Sequence, residues 1–290
     1  MSTGRLEIRK TYKLFIGGEF PRSESGRSYE VTDSKNRFLA NAAMGSRKDA
    51  RDAVRAARTA YEKWSNASAY NRGQILYRIA EMMEGRKEQF VSEVMSSEGC
   101  TKPVANKIVT AAIDRWVWYA GWADKFATVA GSTNPVAGPY YNFSTPVPIG
   151  VVALVAPAKS SLLGLVSVVA PAIVVGCTAV VIASENRPLP AITLSEALAT
   201  SDLPGGVINI LTGNTGEITP WLASHADVNG LDLAGVTNPA LAIELTQSAA
   251  GTIKRVLPRP TVEPDWFKDP GLERLNFYAE ARTVWHPIGV

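Results

Sequence analysis

The sequence predicts an α/β fold, an open parallel sheet with helices on both faces, preceded by a helical first part. Three observations predict it. From Pro148 onward, five short apolar runs alternate with helical patterns. Those runs are continuously apolar, as strands buried on both faces must be, rather than alternating in and out. Lys159 is the only charged residue between Phe126 and Ser184, so this stretch has the character of a protein interior.

The bulk numbers agree with this class. A chain of 290 residues, 46% hydrophobic and 20% charged, is globular and long enough for a sizeable core. Net charge is +3, and no basic run carries interleaved aromatics, so nucleic acid is not an expected partner. Cys100, Cys177, His225 and His286 stand far apart, which predicts neither a zinc site nor a disulfide framework. The opening MSTGRLEIRKTYK has no apolar centre, so a cytoplasmic location is expected. Residues 160–184 are uncharged over a length that could span a bilayer. Pro171, Gly176 and Thr178 break that run, and a buried strand–helix–strand unit is the preferred reading, with no membrane partner.

The elements follow in order. Ser46 caps a helix that places Ala50, Ala53, Val54, Ala57, Ala60 and Trp64 on one face. A second helical pattern runs from Ile75 to Val94; Gly85 interrupts it, and Gly99 and Pro103 end it. A third passes through Ile108, Ile113, Trp116, Tyr119, Trp122 and Phe126. Trp116, Trp118 and Trp122 are expected to pack against the core or a neighbouring subunit. The strands are 151–156, 179–183, 207–211, 230–234 and 252–257. The helices between them lie near 161–174, 189–200, 215–225 and 238–249. Ligands of such sheets bind at the carboxyl ends of the strands, and Lys159 lies just past the first of these ends. Residues 258–271, PRPTVEPDWFKDPG, form a proline-rich linker. A short helix and a lone last strand follow, and that strand needs an edge from this chain or another.

YAGWADKF (119–126), YYNFSTPVPIGVVALVAP (140–157) and LPGGVINILTG (203–213), with KLFIGGEF (13–20) ahead of them, resemble the aldehyde dehydrogenase superfamily. The resemblance runs from residue 12 to residue 257 and resumes in LERLNFYAEARTVWHPIG, which looks like the family's C-terminal end. It implies that 1–126 and 148–257 form a Rossmann-like, NAD-binding-type domain. It further implies that 127–147 is an oligomerisation hairpin and that 272–290 is a helix with an oligomerisation strand. In this reading, linker 258–271 stands where the family carries its catalytic domain.

The same resemblance implies a degenerate site. The nucleophilic cysteine belongs to the missing segment, and Cys100 and Cys177 match non-catalytic positions. Arg259 takes the place of the general-base glutamate, and an arginine does not accept a proton. Lys159 takes the place of the oxyanion-donating asparagine and is expected to snorkel to solvent. Ala158 stands where a tryptophan is usual. Of the cofactor contacts, Glu185, Gly213 and Gly235 remain. Ile182–Ala183 replaces a Lys–Pro pair, and Val236 replaces a serine. Each lost hydrogen bond is worth about 1 kcal/mol, so no tightly held cofactor is expected, only a weak NAD contact at a helix N-terminus. His286 is expected on a strand surface. The expected function is a catalytically inactive homologue, a structural or regulatory subunit pairing with a full-length aldehyde dehydrogenase or with itself. One alternative is a nucleotide- or metabolite-binding homodimer. Another is an oxidoreductase completed by a partner's catalytic domain.

Overall fold

The computed structural model describes residues 10–289. Residues 1–9, on which part of the expected opening segment falls, and Val290 lie outside the described residues.

A hairpin opens the fold, β1 (Ser28–Thr32) antiparallel to β2 (Phe38–Ala43). Four helices follow: α1 (Arg47–Ser65), α2 (Ala69–Glu84), α3 (Lys87–Glu98) and α4 (Lys102–Trp122). Ser46 caps α1 in a reciprocal box, its hydroxyl accepting from Asp49 N while the Asp49 carboxylate accepts from Ser46 N. Gly85 closes α2, and Gly99, at φ +67°, closes α3 in the left-handed region.

After the short α5 (Phe126–Ala130) come β3 (Ser132–Asn134) and β4 (Tyr140–Pro148). The α/β repeat is β5 (Val151–Val155), α6 (Leu163–Val175), β6 (Thr178–Ile182), α7 (Leu189–Leu198), β7 (Ile208–Leu211), α8 (Thr215–Ser224), β8 (Gly230–Asp232), α9 (Pro239–Ala250) and β9 (Arg255–Leu257). The chain ends in α10 (Glu273–Phe277) and β10 (Ala279–Pro287).

The five-stranded sheet has the order β7-β6-β5-β8-β9, all parallel. Side chains leave it alternately to two cores. Val151, Ala153, Val155 and Ile182 pack with α1, α8 and α9. Val152, Leu154, Ala156 and Ala183 pack with α6 and α7, over which α2, α3 and α4 form a further layer. Both faces are therefore covered, which explains the continuously apolar strands. The uncharged residues 160–184 are α6 and β6, and among the described residues no helix is long and apolar enough to cross a membrane.

Residues 127–147 contain the expected hairpin, β3 antiparallel to β4. They open in helix α5, and the first strand, β3, is only three residues long. The last strand finds its edge within the chain: β10 pairs antiparallel with β4 along its whole length, Ala279 opposite Pro148 through Pro287 opposite Tyr140. The resulting sheet has the order β10-β4-β3.

Candidate functional site

The sheet order places a topological switch between β5 and β8, because successive crossovers from β5 run one way to β6 and β7 while β8 and β9 lie on the other side. Ligand crevices of open α/β sheets form at this point. A cavity of about 290 Å³ lies there, lined by Ala158 after β5, Glu185 after β6, Asn214 and Thr215 at the start of α8, and Gly235 and Val236 after β8.

Several of its polar groups are already engaged with one another. The Glu185 carboxylate accepts from Asn214 Nδ2 at 3.0 Å and from Thr215 N at 3.1 Å, so it sits on the N-terminus of α8. The Glu185 carbonyl accepts from the Tyr29 hydroxyl at 3.1 Å. Burial, followed by the Glu185 charge, pushes the Tyr29 phenol well above its ordinary range, so it stays protonated and donates. Asn214 and Asn238 cap α8 and α9, so two helix N-termini converge on the cavity.

The glycines have packing reasons of their own. A Cβ on Gly235 would lie 1.9 Å from the Ala156 carbonyl oxygen, and its N–H donates to Val155 O at 3.0 Å. Gly213 has φ +136°, a conformation that other residues rarely adopt. Val236 faces the cavity from the edge of the core, with its side chain buried beside α8 and α9. Ile182 is fully buried on the same face and does not line the cavity.

Neither Lys159 nor Arg259 lines this cavity. Lys159 is exposed, and its ammonium has no partner among the described residues. Its backbone is held tightly. Glu263, from linker 258–271, accepts from Lys159 N through Oε2 and from Ser160 N through Oε1, both at 3.1 Å. Glu98 Oε1 accepts from Ser161 N and from Ser161 Oγ, both at 2.7 Å. Arg187 donates to the Lys159 carbonyl. Arg259 is half-buried and, among the described residues, donates only to its neighbour's carbonyl, Pro260 O, at 3.3 Å.

Linker 258–271 forms no helix or strand, yet it is anchored. Trp266 Nε1 donates to Glu263 Oε1 at 3.2 Å, and Arg115 Nη2 donates to Trp266 O at 2.6 Å and Lys268 O at 3.0 Å. Burial holds the Arg115 pKa below its usual value. The Arg274 guanidinium lies 5.6 Å from the Trp266 ring centre and the Lys107 ammonium 4.8 Å from that of Phe267.

Neither cysteine stands in the crevice. Cys177 is fully buried; its Sγ donates to Tyr278 O at 3.4 Å, and burial pushes its thiol up to about 12. Cys100 is half-buried, and burial followed by the Glu98 charge raises its pKa as well. His286 is exposed on β10. Trp116 is buried in the core, while Trp118 and Trp122 are partly covered and meet as tilted rings with centres 5.6 Å apart.

Sequence reasoning missed Glu98 and Glu263, whose roles depend on contacts across long sequence separations. It also missed Asp232, which did leave a signal as a lone acid inside an apolar strand, GLDLA. Asp232 is fully buried and accepts from Arg274, from the Tyr278 hydroxyl at 2.9 Å and from Ala234 N at 3.0 Å.

Residues 20–258 match the sequence profile of the aldehyde dehydrogenase family. The chain belongs to that family. It is 34% identical over 263 residues to retinal dehydrogenase 2 of Gallus gallus, covering 88% of this chain and 49% of that protein. It is 35% identical over 233 residues to aldehyde dehydrogenase family 2 member B4, mitochondrial, of Arabidopsis thaliana, covering 78% of this chain and 42% of that protein. Among solved structures, an NAD+ complex of an aldehyde dehydrogenase from Bacillus cereus superposes with TM-score 0.79 at 25% identity, over 85% of this chain and 50% of that one. PnpE from Pseudomonas sp. WBC-3 superposes with TM-score 0.80 at 26% identity, over 85% and 50%. The chain thus spans about half the length of the relatives it matches, and the matched residues 20–258 of this aldehyde dehydrogenase homologue include the parallel sheet with its crevice.

Proposed function

We propose that this aldehyde dehydrogenase homologue is a non-catalytic subunit that assembles with a full-length member of its family or with a second copy of itself. The observation that carries the reading is the sheet β10-β4-β3. It is built from the expected hairpin and C-terminal strand, and both its outer edges are unpaired among the described residues. β10 is nine residues long and exposed over most of its length, and Tyr140, Tyr141 and Trp285 are large exposed aromatics on the sheet. Such an edge is a ready template for another chain.

The site chemistry supports the non-catalytic part. Lys159 and Arg259 occupy the positions that the resemblance assigns to an oxyanion donor and a base. Neither cysteine has the exposure or lowered pKa of a nucleophile. Co-expression with a full-length relative, followed by native mass measurement, tests the reading. A mixed oligomer or self-oligomer is expected, and a monomer beside an unmixed relative contradicts it.

A second reading, nucleotide binding, is favoured by the crevice. The NAD+ complex of the B. cereus enzyme shares this fold, and here two helix N-termini converge on the cavity. The fit is partial. At about 290 Å³ the cavity is at the lower end for a ligand pocket. Glu185 is committed to α8, and Val236 brings no hydroxyl. This supports weak binding of the nucleotide part of NAD. In equilibrium dialysis, NAD and ADP should bind alike and weakly. Tight binding that depends on the nicotinamide half would overturn this.

A further inference from the structure

The register of β10 on β4 determines which of its backbone groups face outward. Ile288 N donates to Pro139 O at 2.8 Å, and Tyr278 O accepts from Ile149 N at 3.1 Å. The even-numbered residues of β10 therefore turn their backbone groups toward β4, and the odd-numbered residues turn theirs away. Pro146 and Pro148, which have no N–H, stand opposite odd-numbered Ala281 and Ala279, where β4 needs no donor for β10. Ala281, Thr283 and Trp285 thus present outward N–H and C=O groups that are unpaired among the described residues. This run is bounded at both ends. The Ala279 carbonyl already accepts from Arg255 Nη1, and Pro287 has no N–H. The opposite edge of the sheet, β3, is only three residues long.

We propose that two copies of this chain join β10 to β10, antiparallel, about a two-fold axis through Thr283, making one continuous sheet from two three-stranded ones. The proposal rests on the subunit reading and selects a second copy as the partner, because in this register the edge complements itself. Thr283 faces Thr283 of the other copy and Ala281 faces Trp285, so each of the three outward residues both donates and accepts a backbone bond. The small Ala281 leaves room beside the exposed Trp285 ring. Glu280 faces His286, a carboxylate opposite an imidazole donor, and it remains exposed beside Arg255 at 3.4 Å. Pro287, with no N–H, faces Ala279, whose carbonyl Arg255 already satisfies. Neighbouring registers lose these matches. An axis through Arg282 sets two guanidinium groups directly opposite each other. One through Ala281 sets the Thr283 N–H against the occupied Ala279 carbonyl. Axes through Val284 or Trp285 set a free carbonyl, that of Ala281 or Thr283, against Pro287.

The test is cysteine cross-linking of the full chain under mild oxidation, together with sedimentation of the unlinked protein. The wild type should sediment as a dimer and, as the control for Cys100 and Cys177, should not cross-link. Thr283→Cys should form a disulfide dimer, because its two Cα atoms would lie about 5.5 Å apart. Ala281→Cys should not, because its two copies are offset by four residues, roughly 13 Å along the strand. Ala281, Thr283 and His286 are all exposed, so the variants are expected to fold. At low salt His286→Glu should weaken the dimer on the order of tenfold, since symmetry counts the clash with Glu280 twice, whereas His286→Lys should not weaken it. Cross-linking as efficient at 281 as at 283, or equal effects of the two His286 variants, would overturn this pairing and leave a subunit role standing. A chain that is monomeric alone and assembles only with a full-length relative would do the same. A chain that assembles with neither would overturn both.

Discussion

Asp232 binds the end of the chain to the sheet. It is fully buried on β8, and its partners Arg274 and Tyr278 both come from the segment around α10. Removing one member of a buried pair leaves an uncompensated charge, so Arg274→Met should cost about 3–5 kcal/mol in a denaturant titration. The double variant Asp232→Leu with Arg274→Met should cost clearly less than the sum of the single changes. Additive losses would show that the pair is not coupled. Cys177 and Cys100 give a chemical prediction. Both thiols have raised pKa values, so at neutral pH an alkylating reagent should label Cys177 only after unfolding and Cys100 slowly. Rapid labelling of either in the native chain, read by mass spectrometry, would reopen the question of a nucleophile.

His225 adds a pH dependence. Its Nδ1 accepts from Asp227 N at 3.1 Å, which requires the neutral ring. Burial lowers its pKa, with Lys254 and Arg58 acting in the same direction and the Asp227 charge opposing them. The unfolded chain therefore takes up the proton first as pH falls through about 6.5, and stability declines from there until the folded histidine is also charged. In His225→Asn the amide oxygen can accept the same bond without titrating. Its Tm should depend less on pH than that of the wild type between about pH 7.5 and 5.5. Identical slopes would remove His225 from the account.

At the scale of the element, Gly235 shows how tightly the loop after β8 meets β5. A methyl group there would sit 1.9 Å from Ala156 O, so Gly235→Ala should lose about 3 kcal/mol, the upper end for an overpacked site, measurable as a lower denaturant midpoint. The parallel strands and their crossover helices were legible because burial on both faces demands long apolar runs, punctuated by Gly and Pro where helices begin and end. The α1 start was legible from Ser46 because capping is local. The β1–β2 hairpin was not. SYEVT and FLANAA are short, and their pairing rests on an Asp33 side chain that accepts from Lys35 N and Arg37 N in the turn. Helix α5 was hidden in the same way by its five-residue length. Of the site, the position of Lys159 past the end of β5 followed from the pattern, whereas Glu185 and Gly235 were reached only through the family resemblance. The grip of Glu263 on the β5 turn, across more than 100 residues, left no local periodicity to find.

At the scale of the whole molecule, three parts divide the work. The parallel sheet supplies a stable body with a small crevice, linker 258–271 is anchored beside the end of its central strand through Glu263, and the β10-β4-β3 sheet presents edges unpaired among the described residues. The free edges carry the central claim, because an exposed nine-residue strand with neighbouring aromatics is costly to leave uncovered. The most direct measurement is native mass spectrometry of the chain alone and after co-expression with a full-length aldehyde dehydrogenase from the same cells. The account predicts an oligomer containing this chain in at least one of the two samples, and its loss when Thr283→Pro removes an N–H from β10. A monomer in both samples, with the full-length enzyme assembling only with itself, would contradict it.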